Sequence, residues 1–130
     1  DRLDELIRDR LSPAGHVLSL KAQFIREVGA KALAKKEELK NLRALDLTQN
    51  DIGDEGVKAI AESEIFSNLR TLNLKSNRIG DEGAGYLANS KTLKNLRSMQ
   101  MVINDLSEDG EKILRNSTAL SSLSSLKFRV

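Results

Sequence analysis

Three groups of side chains in this sequence have types and spacings that could support chemistry: a histidine near serines, paired acids, and a column of arginines. His16 is the only histidine, and Ser12 and Ser19 lie close to it in the chain. A serine nucleophile needs a histidine base that a third group orients. Neither serine lies on a strained strand-to-helix turn, and no such set of three can be assembled. We therefore expect no catalytic residues and no enzyme activity.

The paired acids recur at one edge of a regular pattern and could line a row of cation sites. They are Asp54–Glu55, Asp81–Glu82 and Glu108–Asp109. Calcium loops need a denser set of oxygen ligands within one loop. Each pair instead opens a helical pattern, where acids cap free N–H groups and suit the positive end of the helix dipole. With no cysteine and one histidine there is no zinc site either, so we expect no metal and no cofactor.

A pattern that repeats every 27 residues must position these side chains. Its columns include leucines, asparagines and glycines: Leu42, Leu69, Leu96 and Leu123; Asn50, Asn77 and Asn104; Gly56, Gly83 and Gly110. In one unit, Leu45 and Leu47 alternate with polar neighbours, which predicts a strand. Val57 and Ile60 then recur at helical spacing. Each unit is therefore predicted to be strand, turn and helix, and stacked units bury leucines that one unit alone would expose.

The pattern sets the predicted domain boundaries. The repeat domain covers 12–130, divided into units 12–38, 39–65, 66–92 and 93–119 and a half-unit 120–130. Residues 1–11 precede it and carry apolar residues at helical spacing, so they predict an amphipathic capping helix. The asparagine column is predicted to be structural, because a buried amide must bond backbone groups at the bend after the strand.

Two segments, 42–56 and 69–83, share the motif Leu-x-x-Leu-x-Leu-x-x-Asn-x-Ile-Gly-Asp-Glu-Gly. This motif resembles the leucine-rich repeat of the ribonuclease-inhibitor-like class, and the 27-residue period is similar to the shorter repeats of prokaryotic members. The resemblance implies an α/β fold, a right-handed leucine-rich-repeat solenoid that forms part of a horseshoe. A parallel sheet of about five strands would line the concave side, with helices on the convex side.

The resemblance also implies that the concave face binds a protein or peptide. Arg43, Arg70 and Arg97 would stack about 5 Å apart on adjacent strands and could hold an acidic partner segment. The alternative is that they are solvated rim residues whose charge nearby acids offset. The other predicted contact residues on this face are Asp46, Asn73, Gln100, Lys75, Val102 and Ile103.

Val102 and Ile103 are apolar where earlier units are polar, which suggests a contact patch. The alternative is that the fifth strand or a C-terminal segment covers them. The concave face of this chain would offer a few hundred Å², below the roughly 800 Å² per partner of a standard interface. We therefore expect weak binding, a short peptide ligand, or a role within a larger molecule.

Composition narrows the partner classes. The chain has 130 residues, 39% hydrophobic and 31% charged, which fits one folded domain rather than a disordered segment. Its net charge of +2 and 3% aromatic content give neither a strong field nor base-stacking surfaces. No apolar stretch is long enough to cross a membrane. We expect no nucleic-acid partner and no membrane partner.

Two functions follow from these observations, and a distant third is implied by the resemblance alone. The leading one is a non-catalytic protein–protein interaction module. The second is an assembly element, in which an uncapped C-terminal strand pairs chains into a homo-oligomer. The third is regulation of small GTPases, which some members of the repeat class perform, although no residue here argues for it. The compartment is left open, with the cytoplasm favoured.

Overall fold

A computed structural model describes residues 1–130 and contains a five-stranded parallel sheet. The strands, in chain order and in sheet order, are β1 (Val17–Ser19), β2 (Ala44–Asp46), β3 (Thr71–Asn73), β4 (Ser98–Gln100) and β5 (Ser125–Lys127). The α-helices are α1 (Arg2–Arg10), α2 (Arg26–Leu33), α3 (Gly53–Glu62), α4 (Asp81–Ala88) and α5 (Glu108–Arg115). Short 3-10 helices at Glu37–Leu39 and Glu64–Phe66 return the chain to β2 and β3.

The register of the sheet is uniform. Leu18 pairs with Leu45, Leu45 with Leu72, Leu72 with Met99, and Met99 with Leu126. One α-helix lies between each strand and the next, and α2, α3, α4 and α5 pack side by side in that order. The predicted α/β architecture is confirmed: successive strand–helix units form a solenoid, and their strands form one parallel sheet.

The core lies between the sheet and the layer of helices. Leu45 and Leu72, at the centres of β2 and β3, are buried, as are the helix residues Ile60 and Leu87 that belong to one column of the repeat. Leu126, at the centre of β5, is half-buried. The burial of these columns gives the structural reason for the leucine spacing, since each unit covers the apolar face of its neighbour.

Helix α1 forms within the segment 1–11, as predicted from its apolar spacing. It contacts β1 and buries Ile7. The Asp1 side chain accepts a hydrogen bond from the backbone N of Asp4, which caps the helix start. The division of the chain into a capping segment and a repeat domain, with the unit boundaries given above, stays a prediction.

The asparagine column forms a ladder between successive turns of the chain, with Asn50 and Asn77 buried and Asn104 half-buried. Asn77 Oδ1 accepts from the backbone N of Asn50 at 3.0 Å and of Ile52 at 3.3 Å. Its Nδ2 donates to the carbonyls of Leu47 at 2.8 Å and Lys75 at 3.1 Å. Asn50 and Asn104 make the corresponding bonds one turn before and one turn after. Each asparagine therefore satisfies backbone groups of the preceding turn as well as its own.

The acids of the turn motif act differently from the expectation that they cap their own helices. At α3 and α4, the residue immediately before the helix makes no side-chain capping bond, and the first-turn acids do not bond their own helix starts. Asp54 Oδ1 instead accepts from the backbone N of Gly80, at 2.7 Å, where the next helix begins. Asp81 accepts from the backbone N of Ser107 at 2.9 Å and from its hydroxyl. These carboxylates thus cap the following unit, because the stacked helix starts lie side by side.

Because Asp81 accepts these hydrogen bonds, the free energy of unfolding should depend on the ionisation of its carboxyl group and therefore on pH. The Ser107 hydroxyl, and then its backbone N–H, hold the pKa of Asp81 below the ordinary value of 3.8. Because the Asp81 carboxyl has a lower pKa in the folded chain than in the unfolded chain, its ionised form stabilises the fold at pH values above the unfolded-state pKa. This contribution is lost as the pH falls through the lower folded-state pKa. We expect Asp81→Asn to be less stable than the unsubstituted chain at neutral pH, with the difference shrinking as the pH falls below 3.8.

Urea titrations at a series of pH values measure this difference. Asp109→Asn is a matched control, because Asp109 is exposed and its carboxylate neither accepts a hydrogen bond nor forms an ion pair. A gap between Asp81→Asn and the unsubstituted chain that stays constant with pH would contradict the assignment.

Candidate functional site

The arginine column lies immediately before the strands and continues their ladder. Arg43 N donates to the His16 carbonyl at 2.8 Å, Arg70 N to the Arg43 carbonyl at 2.7 Å, and Arg97 N to the Arg70 carbonyl at 2.8 Å. These backbone bonds place the four residues in register, so their Cα atoms lie about 4.8 Å apart from one strand to the next. All three arginine side chains are exposed.

The same residues line a groove of about 380 Å³, which we call the arginine groove. Its lining residues come from five successive turns of the chain: His16, Asn41, Arg43, Asn68, Arg70, Asn95, Arg97 and Ser122. No hydrophobic side chain and no carboxylate belongs to this lining. The groove is therefore polar throughout, and its formal charges are all positive.

Asparagines stand beside the arginines and are held in place. Asn68 Nδ2 donates to the Lys40 carbonyl at 2.9 Å, and Asn95 Nδ2 donates to the Ser67 carbonyl at 2.9 Å. Each bond reaches back to the preceding turn, so the amide is fixed while its Oδ1 accepts no hydrogen bond within the chain. These asparagines were not among the predicted contact residues, although the tripeptide Asn-Leu-Arg recurs at 41–43, 68–70 and 95–97 and pairs each of them with an arginine.

The three arginines form no ion pairs. The ion pairs of the structure lie elsewhere, for example between Arg78 and Asp51 at 3.5 Å and between Arg129 and Glu111 at 2.8 Å. The alternative in which neighbouring acids offset the arginine charges requires carboxylates beside the guanidinium groups, and none lines the groove. Three like charges therefore face solvent in a row.

Three other predicted contact residues, Asp46, Asn73 and Gln100, are half-buried at the ends of their strands. Each side chain accepts a hydrogen bond from the backbone N two residues later, at 2.9 Å for Asp46, 3.0 Å for Asn73 and 3.0 Å for Gln100. Asp46 also accepts from the Thr48 hydroxyl at 2.6 Å. These side chains brace the bend after each strand, which leaves them less free than the arginines to engage a partner.

The structure separates the two predicted apolar contact residues. Ile103 is 63% exposed, whereas Val102 is 3% exposed and is not accessible as a contact residue. Val102 is buried because its column turns inward at the end of the strand, where Thr48 is buried and Lys75 is half-buried. Ile103 has a φ of 59°, a left-handed conformation that β-branched residues rarely adopt.

A buried acid near the C-terminal end of the coil was also missed. Glu111 is 8% exposed and occupies a repeat column that holds Ala84 in the preceding unit. Its carboxylate accepts from Arg129 at 3.1 and 2.8 Å and from Arg115 at 3.2 Å, and the Arg115 guanidinium lies 5.0 Å from the centre of the Phe128 ring. The pairing holds the segment after β5 against α5. The sequence signal that could have revealed this pair is an acid, Glu111, in a repeat column that is apolar at Val57 and Ala84.

None of the helices combines the length and the apolar character needed to pass through a lipid bilayer. No group of three or more His, Asp or Glu side chains is placed where it could hold a metal ion.

Comparisons with known proteins support the repeat interpretation. The family model described as Leucine Rich repeat matches residues 38–61 and 67–88. These ranges cover β2 with most of α3 and β3 with α4. No curated protein is significantly similar to the chain. The two matches, together with the coil of strand–helix units around a parallel sheet, support a leucine-rich repeat protein.

Proposed function

We propose that this protein is a non-catalytic module that binds a protein or peptide on the face of its parallel sheet. Leucine-rich repeats generally mediate protein–protein interactions. The observation that carries the proposal is the arginine groove, in which polar side chains from five turns line one continuous surface. The backbone ladder beneath them is already formed, so binding would cost little ordering of the main chain.

The proposal that the groove is non-catalytic rests on its side chains. His16 is the only imidazole in the lining, and the lining holds no carboxylate that could orient it as a base. The guanidinium and amide groups that make up most of the lining bind and orient anions and peptide groups. Recognition is the function that fits this set of groups.

We further infer that the repeats are of the ribonuclease-inhibitor-like class with a 27-residue period. The support is that an α-helix follows each of β1 to β4, and that the paired residues of neighbouring strands lie 27 positions apart in all four pairings. The same offset relates the backbone N and the Oδ1 partner in the asparagine ladder, as between Asn50 and Asn77.

Pairing of chains through β5 is the alternative function, and it is favoured by the fact that β5 pairs only with β4. Two features disfavour it. Lys127 is exposed on β5, and lysine on an edge strand opposes edge-to-edge pairing. The ion pair between Arg129 and Glu111 also holds the following segment against α5. The sheet face is therefore the better-supported site.

A peptide-display selection against the purified chain tests the proposed function. We expect enriched peptides to bind with Kd values in the micromolar range or weaker, since the surface is small, about a few hundred Å². Thr71 is exposed on the central strand β3, so Thr71→Trp should obstruct the face and weaken binding by roughly tenfold or more.

The matched control is Lys112→Trp, which places the same bulk at an exposed position on α5. It should leave the affinity unchanged. The proposal fails if no peptide is enriched, or if the enriched peptides lose affinity equally with both variants, because their site would then not be the sheet face.

A further inference from the structure

We propose that the arginine groove binds an extended acidic segment of a partner protein, with carboxylates of alternate Asp or Glu residues lying between neighbouring guanidinium groups. This inference rests on the proposed function and adds the chemistry of the partner. It starts from the absence of any carboxylate in the groove lining and of any ion pair at Arg43, Arg70 or Arg97.

The spacing of the arginines makes an anion the natural complement. The backbone bonds that link these residues fix their Cα atoms at strand spacing, about 4.8 Å, so neighbouring guanidinium groups repel each other unless they splay apart. A carboxylate placed between two of them attracts both and can accept paired N–H bonds from a planar guanidinium. Three arginines in register provide two such positions.

The fixed asparagines favour a peptide over an isolated anion. Asn68 and Asn95 use Nδ2 to bond the Lys40 and Ser67 carbonyls, and this leaves each Oδ1 as an unused acceptor beside the arginines. A carboxylate has no N–H to donate to such an oxygen, whereas the backbone of a peptide has one at each residue other than proline. Guanidinium donors and amide acceptors together match the side chains and main chain of an acidic segment.

The length of the groove sets the length of the segment. The lining runs from His16 to Ser122, which is four strand spacings, or about 19 Å. An extended chain spans about 3.3–3.6 Å per residue, so about six residues cover the groove. Consecutive side chains of an extended segment point to opposite sides, and every second carboxylate would therefore face the arginines. Alternate side chains of the segment lie about 6.6–7.2 Å apart, against about 4.8 Å between the arginine Cα atoms, so the long arginine side chains must splay by about 2 Å to meet them.

The same features disfavour single-stranded nucleic acid, whose phosphates could also contact arginine. Base recognition in single strands relies on aromatic side chains as stacking surfaces, and no aromatic residue lines the groove. The net charge of +2 also supplies little general attraction for a polyanion. An acidic peptide needs neither feature.

Fluorescence anisotropy with labelled hexaglutamate as the probe tests the inference on the full chain. Hexaglutamine and hexauridylate serve as comparison probes. We expect hexaglutamate to bind at low salt and hexaglutamine to bind with an affinity at least roughly tenfold weaker. The hexaglutamate affinity should fall as sodium chloride is added. The variant R43Q/R70Q/R97Q should lose roughly tenfold or more of the hexaglutamate affinity.

Two variants keep the test specific. K35Q/K91Q/K112Q removes the same charge from exposed lysines outside the groove that form no ion pairs, and its affinity should stay near that of the unsubstituted chain. Arg70→Lys keeps the charge but loses the planar pair of donors, so it should weaken binding by a smaller factor than the triple groove variant. Circular dichroism checks folding, and Arg70→Gln alone replaces the triple variant if that variant does not fold.

Several outcomes would overturn the inference: equal binding of hexaglutamate and hexaglutamine, equal losses in the groove and control variants, or tighter binding of hexauridylate. Display-selected peptides that depend on Thr71 but lack acidic residues would also overturn it, while leaving the proposed function intact. Failure of every selected peptide to depend on Thr71 would instead count against the proposed function itself.

Discussion

Replacing Asn77 with alanine should lower the free energy of unfolding by about 2–5 kcal/mol, since each buried group left without a partner costs about 1–3 kcal/mol. Asn77 is fully buried, and its Oδ1 is the acceptor for the backbone N–H groups of Asn50 and Ile52. Alanine leaves both N–H groups unpaired. The carbonyls that Nδ2 contacts are affected less, because Leu47 also accepts from Asn50 and Lys75 also accepts from Gln49.

Urea denaturation followed by circular dichroism measures this loss. Asn73→Ala is the matched control, because Asn73 is half-buried and its Oδ1 accepts a single hydrogen bond, from Lys75 N at 3.0 Å. It should cost about 1 kcal/mol, the usual net value of one hydrogen bond. Equal unfolding midpoints for Asn77→Ala and Asn73→Ala would show that the ladder does not stabilise the fold as described.

Gly83→Ala and Gly85→Ala should change stability in opposite directions, although both glycines lie in α4. A Cβ at position 83 would come within 2.6 Å of both Asp54 Oδ1 and Ile79 Cγ2, whereas a Cβ at position 85 would meet nothing within 4 Å. Alanine at 83 therefore displaces the carboxylate that accepts from Gly80 N. Overpacking of this kind costs about 1–3 kcal/mol.

Helix propensity favours alanine over glycine by about 0.8–1.0 kcal/mol at either position. Gly85→Ala should therefore stabilise the protein by roughly that amount, while at 83 the crowding and the displaced hydrogen bond outweigh the gain, for a net loss of about 1–3 kcal/mol. Thermal and urea unfolding of the two variants give the comparison directly. A rise in stability for both would mean that the gap between α3 and α4 is wider than the structure has it.

Much of the fold follows from periodicity, because columns such as Leu42, Leu69 and Leu96 are fixed by which face of a strand or helix is buried. The period shows that Asp54 shares a column with Asp81, but it does not show which unit the carboxylate reaches. That depends on how far apart the stacked helix starts lie. The hydrogen bond from Gly80 N to Asp54 Oδ1, which joins one unit to the next, could therefore not be predicted from the sequence.

The candidate site was only partly predictable for a similar reason. Strand alternation places Arg43, Arg70 and Arg97 on one face, and the structure adds the groove that joins them to the asparagines. Alternation fails for Val102, because the strands are only three residues long and the chain has already begun to bend at that position. Glu111 was unpredictable from its own unit, since its partner Arg129 lies 18 residues later.

The asparagine ladder has a consequence for how such a chain can change in length over evolution. Each rung joins atoms 27 positions apart, as between Asn50 N and Asn77 Oδ1. Duplication or loss of one whole period would bring an equivalent amide opposite every bend, and all rungs could re-form. Insertion of one or two residues within a turn would instead move the asparagine amide away from the backbone groups that it bonds in the preceding turn. Recombination between equivalent points of different turns would therefore let this architecture lengthen, shorten or exchange its surface side chains while keeping its buried polar groups paired.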